Sequence, residues 1–309
     1  MVTNKERIIF KKIVVLALIS LSIIFIHKII FDLYSNIKVC LCTIGKKENR
    51  YIKEYVEHYF NYGVDKIFLY DNNDLYGERI GDPISDYIKN KFVEIIDIRG
   101  RKGVQLYSMN ECYQKHNKEY DWFIIYDLDE FIFLKNINNI KLYLKRKHFN
   151  KCQVIHLNWV IHGDNNYIYY TNMSLKKRFP KITKRLDYSI DIKSIIRGKI
   201  KTNIVSQHYL NPKLVTCNGF GKIKKKKFLN SNNDYKYYYI DHYYFKSTEE
   251  FVDKIMKNNA SNGNKNRTGI IPYYFSKNKI TLEKINYIEN KTGINLGKYR
   301  QMMKRIKTI

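Results

Sequence analysis

Two aspartates one residue apart, Asp127 and Asp129, follow an apolar run that begins at Trp122 and is typical of a buried strand. Side chains at the end of a strand project toward one side of the turn, where their oxygen atoms can share a Mg²⁺ or Mn²⁺ ion. Glu130 comes next, and three neighbouring carboxylates repel one another unless a cation lies between them. The pattern predicts a site for a metal ion that bridges a diphosphate, with a solvated acidic turn as the alternative.

Two further strand ends carry polar side chains. The apolar run 66–70 ends at Asp71, and the run 37–44 reaches Thr43 before a polar loop that contains Glu48. In an open parallel sheet the strands end at one edge, and ligands bind there. These side chains suit the base, ribose and phosphates of a nucleotide, although Asp and Asn are also ordinary turn residues.

The order of elements predicts the fold. Between residues 37 and 126, strand-like runs alternate with amphipathic helical stretches such as 51–62, which indicates an α/β domain with a mostly parallel central sheet. Beyond residue 150 the chain has strand-like pieces and no long Pro/Gly/Ser linker, so we expect one continuous domain. The later elements that we predict are strands at 153–161, 167–170, 193–197 and 237–245, a helix at 248–258, a polar loop at 258–267 and a basic helical tail from 281 onward.

Several motifs occur in a characteristic order. They are Cys42-Thr43-Ile44, Tyr70-Asp71-Asn72-Asn73, Tyr126-Asp127-Leu128-Asp129-Glu130-Phe131, Gly163-Asp164-Asn165, Lys176-x-Arg178-Phe179, Lys193-Ser194-Ile195, His208-Tyr209 and His242-Tyr243-x-x-Lys246-Ser247-x-Glu249-Glu250-Phe251. This order resembles the glycosyltransferases of family 2 and family 92, which have the GT-A fold. The resemblance covers about residues 37 to 260.

The resemblance implies sugar transfer from a nucleotide-sugar donor, a UDP- or GDP-sugar, to a hydroxyl of a glycan, glycoprotein or glycolipid, with Mn²⁺ or Mg²⁺ and inversion of configuration. It also implies roles for individual residues. Donor nucleotide binding is assigned to Thr43, Glu48, Asp71, Gln105 and Asp127, metal binding to Asp127, Asp129 and His242, and diphosphate binding to Lys193 and Lys246.

A carboxylate on the acceptor side would deprotonate the attacking hydroxyl. Asp164 is the first choice, because it follows a strand-like segment in a Gly-Asp-Asn turn, and Glu130 is the second. Asp164 can equally be an Asx-turn residue, and Glu130 can orient a metal ligand or cap a helix.

The net charge of +27 raises two other classes of function. A nucleic-acid-binding protein would use the basic run 222–227 and nearby tyrosines, but acidic clusters at strand ends are poor features for such a protein. A Mg²⁺-dependent phosphohydrolase or nucleotidyltransferase would use the same two aspartates, but the sequence has no nucleophile motif or Gly-rich phosphate loop. We therefore expect no nucleic-acid partner.

The amino-terminal region predicts membrane attachment. An apolar run from Ile13 to Ile26 follows a basic stretch, and its extension past Lys28 to Leu33 gives about 31 Å of helix, enough to span the bilayer core. The predicted domains are a cytosolic tail at 1–12, a signal-anchor at 13–33, the GT-A domain at 37–260 and a C-terminal loop and tail at 261–309. This is a single-pass type II arrangement, with the body in a Golgi-type lumen in a eukaryotic or viral setting or at the cytoplasmic face of a bacterial inner membrane.

Five cysteines lack metal-site spacing and are odd in number. No zinc site or disulfide framework follows from them, and we expect Cys40 and Cys42 to be buried free thiols on one face of a strand.

Overall fold

The computed structural model describes residues 4–35, 37–183, 192–204, 206, 208, 213–223, 234–256 and 267–306. The strands are β1 (Val39–Gly45), β2 (Lys66–Asp71), β3 (Val93–Asp97), β4 (Trp122–Ile125), β5 (Glu130–Leu134), β6 (Val154–Ile161), β7 (Ile192–Arg197), β8 (Thr216–Asn218) and β9 (Tyr238–His242). The α-helices are α1 (Asn4–Ser35), α2 (Asn49–Asn61), α3 (Ser85–Lys89), α4 (Gln105–His116), α5 (Ile140–Leu144), α6 (Leu175–Arg178), α7 (Asp234–Tyr237), α8 (Thr248–Met256), α9 (Ile271–Lys277), α10 (Leu282–Thr292) and α11 (Gly297–Ile306).

Within these residues all nine strands join one sheet, in the order β3-β2-β1-β4-β7-β6-β9-β5, with β8 paired to β6. Strands β3, β2, β1 and β4 are parallel neighbours, which confirms the predicted arrangement for the first half. The second half is mixed, because β7 runs antiparallel to β4 and β6, and β5 runs antiparallel to β9. The fold is therefore a mixed α/β fold.

Alternate residues of β1 point to opposite faces of the sheet, and both faces of the strand are buried. Val39 and Leu41 belong to the apolar cluster that includes the buried face of α2. Cys40, Cys42 and Ile44 belong to a second cluster, which includes Met109 and Tyr113 of α4. Two helical layers thus cover the sheet and fix the direction in which β1 delivers its last residues.

Helix α2 confirms the predicted amphipathic stretch. Its buried residues lie on one face, at Tyr51, Ile52, Tyr55, Val56 and Tyr59. The chain then turns at Gly63, whose φ of +78° lies in the left-handed region, and a Cβ there would approach the Asn139 side chain to 2.5 Å. The turn sends the chain directly into β2.

Two element predictions are corrected. Residues 167–170 form no strand, because the backbone N–H of Tyr170 binds the Glu249 side chain at 2.7 Å and the carbonyl oxygen of Tyr167 accepts from Thr248. Strand β5, which begins at Glu130, was not predicted, because its first residue belongs to the acidic turn. The predicted loop 258–267 lies almost entirely outside the described residues.

The predicted helical tail is confirmed as two helices, α10 and α11, with Gly293 at the end of α10 at a φ of +70°. Thr281 caps the start of α10 by accepting a hydrogen bond from the N–H of Lys284. Ile285, Ile288, Leu296 and Tyr299 join the same apolar cluster as α2. The tail is therefore packed on the body of the domain.

The predicted signal-anchor lies inside α1. Among the residues that the structure describes, no helix combines the length and the apolar character needed to cross a membrane, so the span predicted at 13–33 is not found there. The prediction depended on extending the apolar run beyond Lys28, since residues 13–26 alone make roughly 21 Å of helix against a hydrocarbon core of about 30 Å. The domain boundaries and the type II location are not tested by the fold and stay predictions.

The expectation of a free thiol is wrong for Cys42 and confirmed for Cys40. Disulfides join Cys42 of β1 to Cys112 of α4 and Cys152 to Cys217 of β8, while Cys40 is a buried free thiol. The partners are 70 and 65 residues apart, so their approach depends on the tertiary fold and no spacing rule reveals it. Cys40 and Cys42 do share one strand face, as predicted.

Candidate active site

A cleft of about 490 Å³ opens where β1 and β2 end. Its walls come from the loop and helix after β1, the loop after β2, and the segment from Tyr244 to Met256 that follows β9. This is the edge at which an open α/β sheet binds its ligands. The charged residues of the wall are Lys47, Glu48, Arg50, Asp74, Glu78, Lys246, Glu250, Asp253 and Lys254.

Asp129 connects the predicted metal motif to this cleft. Its Oδ2 accepts a hydrogen bond from Nζ of Lys254 at 2.9 Å, and its Oδ1 lies 3.4 Å from Nε2 of His242. Burial opposes ionisation of this carboxyl, but Lys254 and His242 outweigh burial, and the pKa of Asp129 lies well below its usual range. Asp129 is therefore a carboxylate at neutral pH.

Asp127 is held from two sides. Its Oδ1 accepts from the amide of Gln105, the first residue of α4, at 2.9 Å, and its Oδ2 accepts from the ammonium of Lys193 on β7 at 2.6 Å. Lys193 is fully buried; burial disfavours its charge, but Asp127 and Glu130 outweigh burial and raise the pKa of Lys193 above its usual range. Lys193 therefore stays protonated, and its ammonium orients Asp127.

Glu130 is fully buried at the start of β5. Its Oε2 accepts from the backbone N–H of Asp127 at 3.0 Å, which closes the turn, and its Oε1 lies 3.4 Å from Nζ of Lys193. Burial, reinforced by Asp127 and Asp129 and only partly offset by Lys193, raises the pKa of Glu130 well above its usual value. These contacts favour the orienting role among those that we predicted for Glu130.

His242 lies directly opposite Glu130 in the antiparallel pair of β5 and β9. Burial lowers the pKa of His242 although Asp129 opposes the shift, so the imidazole is neutral at pH 7. Asp129, Glu130 and His242 each offer one ligand atom, and these atoms lie within 4.8 Å of one another. In the described structure neither Nδ1 of His242 nor Oε1 of Glu130 makes a hydrogen bond. Two carboxyl groups and a neutral imidazole therefore fit a divalent ion.

The three-residue group differs from the predicted metal set in one member. Asp127, which we predicted as a ligand, is paired with Gln105 and Lys193, and the group contains Glu130 instead. The metal role of Asp127, Asp129 and His242 stays a prediction.

Lys246 and Glu48 meet across the cleft. The ammonium of Lys246 lies 3.0 Å from Oε2 of Glu48 and 3.9 Å from the centre of the Tyr51 ring. Lys246 has a φ of +56°, a conformation that is costly for a residue with a side chain and that occurs mainly at functional sites. Both residues were predicted to bind the donor, and the fold brings them together in this cleft.

Thr43 and Asp71 lie at their strand ends but are not in the described lining of the cleft. The carboxylate of Asp71 accepts from the backbone N–H groups of Asn73 at 3.0 Å and Ile80 at 3.1 Å, and so shapes the loop after β2. Asn73 lines the cleft, and its Oδ1 accepts from the N–H of Lys47 at 2.7 Å. Asp71 thus acts on the cleft through the loop that it holds.

Asp164 belongs to a different cluster. Its Oδ2 accepts from the hydroxyl of Tyr274 at 2.6 Å and is ion-paired with the buried Lys284, and its Oδ1 accepts from the N–H of Asn166 at 2.9 Å. Its own N–H donates to Asn278 at 2.7 Å. The described cleft wall does not include Asp164, which is 2% exposed. The structure therefore gives this residue a tie to α9 and α10, and its role as the base stays a prediction.

Sequence reasoning missed Lys254. The motif that follows His242 ends at Phe251, three residues short of it. A lysine in the last turn of a short amphipathic helix carries no chemical signal in a chain with 56 basic residues. The usable signal was its position: it lies in the helix that contains the end of the motif, eight residues after Lys246.

The fold and this cleft are those of an α/β enzyme that binds its substrates at the carboxyl ends of the strands. The model of glycosyltransferase family 92 matches residues 35–285, and the chain belongs to this family. The predicted resemblance to this group of enzymes is confirmed.

Solved structures of TarS from S. aureus are similar to this chain at low identity. One TarS structure has 15% identity and a TM-score of 0.40, with 86% of this chain and 49% of that chain covered. TarS 1-349 in complex with UDP-GlcNAc has 13% identity and a TM-score of 0.36, with 86% and 81% covered. The chain spans about half of the length of the first three TarS chains, at 47%, 47% and 49%. No curated protein matches this sequence.

Proposed function

We propose that this enzyme transfers a sugar from a UDP- or GDP-sugar to a hydroxyl of a glycan, glycoprotein or glycolipid, with the help of a divalent ion and with inversion at the anomeric carbon. One observation carries the proposal: Asp129, in the turn after β4, is joined through Lys254 to a cleft at the carboxyl edge of the sheet whose wall also holds Lys47, Arg50 and Lys246. A nucleoside diphosphate is an anion that needs positive charge and a carboxylate-bound ion at one place.

The residues of the cleft support distinct tasks. Lys246 and Lys254 bring ammonium groups to the wall, where they would stabilise the negative charge that grows on the departing nucleoside diphosphate. An ion held by Asp129, Glu130 and His242 would supply further positive charge to the same phosphates. Lys193 and Gln105 hold Asp127 in one orientation and thereby fix the turn that carries Asp129.

Inversion requires a base on the acceptor side. Asp164 and Glu130 remain the predicted candidates, but both are buried and hydrogen-bonded. Asp253 is a carboxylate in the cleft wall, with a side chain 63% exposed and Arg50 3.9 Å away. We add Asp253 as a candidate base, because an acceptor hydroxyl can reach it without breaking a buried network.

The test is a screen of common nucleotide sugars with Mn²⁺ that scores the release of nucleoside diphosphate in the presence of acceptor glycans. We expect release by the wild type and loss in Asp129→Asn. Asp86→Asn is the matched control, because this side chain on α3 is 87% exposed and makes only a 3.9 Å pair with Lys89 in the described structure. Wild-type inactivity on every donor, or full activity of Asp129→Asn, would contradict the proposal. Product stereochemistry, read by NMR of the anomeric proton, tests inversion.

We also propose that the catalytic body works in an oxidising compartment, which agrees with the lumenal one of the two predicted locations. Its support is the pair of disulfides, which persist outside reducing cytosol. Protein isolated from its native source and alkylated without reductant should carry one label, on Cys40, after unfolding. Five labels would place the protein in a reducing compartment.

A further inference from the structure

Lys254 is bound on three sides in the donor-free cleft. Its ammonium donates to Oδ2 of Asp129 at 2.9 Å and to the carbonyl oxygen of Tyr244 at 3.0 Å, and it lies 3.8 Å from the centre of the Tyr244 ring. The side chain remains 15% exposed and forms part of the cleft wall. The group is therefore well placed both to bind Asp129 and to meet a ligand in the cleft.

This ammonium occupies the carboxylate that a divalent ion needs. Asp129 is a member of the group with Glu130 and His242 whose ligand atoms lie within 4.8 Å of one another. A cation bound to Asp129 repels a second cation at short range and uses one of its two oxygen atoms. An ion that arrives alone must therefore displace Lys254.

The arrival of a donor changes this balance. A diphosphate brings at least two negative charges into a wall where Glu48 already binds Lys246 and Asp129 binds Lys254. A flexible lysine can turn from a carboxylate to a phosphate without a change in the backbone. Lys193 cannot do this, because it is fully buried between Asp127 and Glu130.

We propose that Lys254 is the resting counter-ion of Asp129 and moves its ammonium to the donor diphosphate when the donor binds, which leaves Asp129 to the metal ion. The second half of this proposal rests on the proposed function, whereas the first half concerns the donor-free protein alone. The consequence is ordered binding, in which the ion binds weakly by itself and the nucleotide opens its site.

The experiment measures Mn²⁺ binding to the full chain by calorimetry and by EPR, without nucleotide. Lys254→Met removes the competing charge, and we expect it to bind Mn²⁺ about tenfold more tightly than the wild type. Lys254→Arg keeps the charge and should bind Mn²⁺ weakly, like the wild type. Lys53→Met removes the same charge from the exposed face of α2 and controls for net charge. Asp129→Asn should abolish Mn²⁺ binding, which locates the ion.

A second measurement uses UDP and GDP in the presence of EDTA. The nucleotide that binds the wild type should bind Lys254→Met at least fivefold more weakly, since the ammonium that would contact the diphosphate is gone. Circular dichroism of each variant shows that it is folded before its affinities are compared.

Three results would overturn the proposal. The first is a Mn²⁺ affinity of Lys254→Met that is equal to or lower than that of the wild type. The second is no Mn²⁺ binding by either protein up to 10 mM, about a hundred times the dissociation constant of an ordinary enzyme site, and the third is equal nucleotide affinity in both proteins. Failure of the proposed function is a separate result, because it is the absence of donor consumption by the wild type. Tighter Mn²⁺ binding by Lys254→Met would support the resting contact even in that case.

Discussion

Two buried clusters of this enzyme each pair acidic side chains with lysines. They differ in how completely their polar atoms are hydrogen-bonded. The cleft cluster consists of Asp127, Asp129, Glu130, Lys193, His242 and Lys254, and the tail cluster consists of Asp164, Tyr274, Asn278 and Lys284. In the tail cluster both oxygen atoms of Asp164 have hydrogen-bond donors. In the cleft cluster Oε1 of Glu130 and Nδ1 of His242 make no hydrogen bond within the described structure, although Oε1 lies 3.4 Å from the ammonium of Lys193.

The two clusters differ in whether a ligand could complete their hydrogen bonding. A buried charge whose partners are complete contributes to folding and leaves no place for a ligand. A buried cluster with unpartnered atoms beside a cleft is costly for the folded state, and a ligand can offset that cost. The sequence shows both Asp129 and Asp164 as acids after strands, and only their partners distinguish them.

Asp129→Asn gives the largest expected effect on activity. The change removes the negative charge shared by Lys254 and the proposed ion, so nucleoside diphosphate release should fall 100-fold or more. Thermal unfolding should show that the variant is folded. If nucleoside diphosphate release falls less than fivefold in a folded variant, the essential charge lies elsewhere. The contrast between the cleft cluster and the tail cluster would then be wrong.

Asp164→Asn gives the largest expected effect on stability. The change leaves the buried Lys284 without its carboxylate and should lower the free energy of unfolding by about 3 kcal/mol, measured with urea. The double variant Asp164→Asn/Lys284→Met removes the unpaired charge and should recover part of this loss. A folded double variant with normal activity would assign Asp164 to the tail cluster, and an inactive one would restore Asp164 as the base.

Gln105→Leu should have a moderate effect. It removes the hydrogen bond to Oδ1 of Asp127 but leaves Lys193 on Oδ2. The carboxylate therefore stays paired and loses one of the two contacts that orient it. Because orientation of a metal-bearing turn is worth about tenfold in activity, we expect kcat to fall by that factor. An unchanged kcat would show that Lys193 alone fixes the turn.

A change at His156 on β6 gives the smallest expected effect at neutral pH. Its Nε2 makes no hydrogen bond in the described structure. Burial lowers the pKa of His156 to about 4, below the value of about 6.5 for an unfolded chain. The unfolded chain therefore binds a proton that the folded protein does not, and stability should fall by up to about 1.4 kcal/mol per pH unit as the pH drops from about 6.5 toward 4. His156→Gln should reduce that slope in urea unfolding series, and an identical slope in both proteins would contradict the assignment.

The first half of the fold and the place of the site could be predicted, because local patterns determine them. The apolar run before Asp127, the amphipathic face of α2 and the end of that helix at Gly63 each depend on residues close in sequence. Strands that alternate with helices then bring their ends together at one edge, so Asp127, Asp129 and Glu48 were expected near one another.

The remaining features depend on contacts between distant residues. Lys284 finds Asp164, Cys112 finds Cys42, and Lys254 finds Asp129 only after the chain has folded. A lysine carries the same local signal whether it binds solvent or a buried acid. For this reason the sequence revealed neither the lysine partner of Asp164 nor the disulfides.

The antiparallel pairing of Glu130 with His242 has a consequence for the synthesis of the enzyme. The parallel half of the sheet, with Asp127 and Asp129 at its edge, is complete in the nascent chain long before β9 leaves the ribosome. The imidazole of the proposed ion site, together with Lys246 and Lys254 of the cleft wall, arrives with the last third of the chain. A partly made chain can therefore fold its first helices and strands without presenting a competent site, and catalytic competence reports that synthesis has passed residue 254.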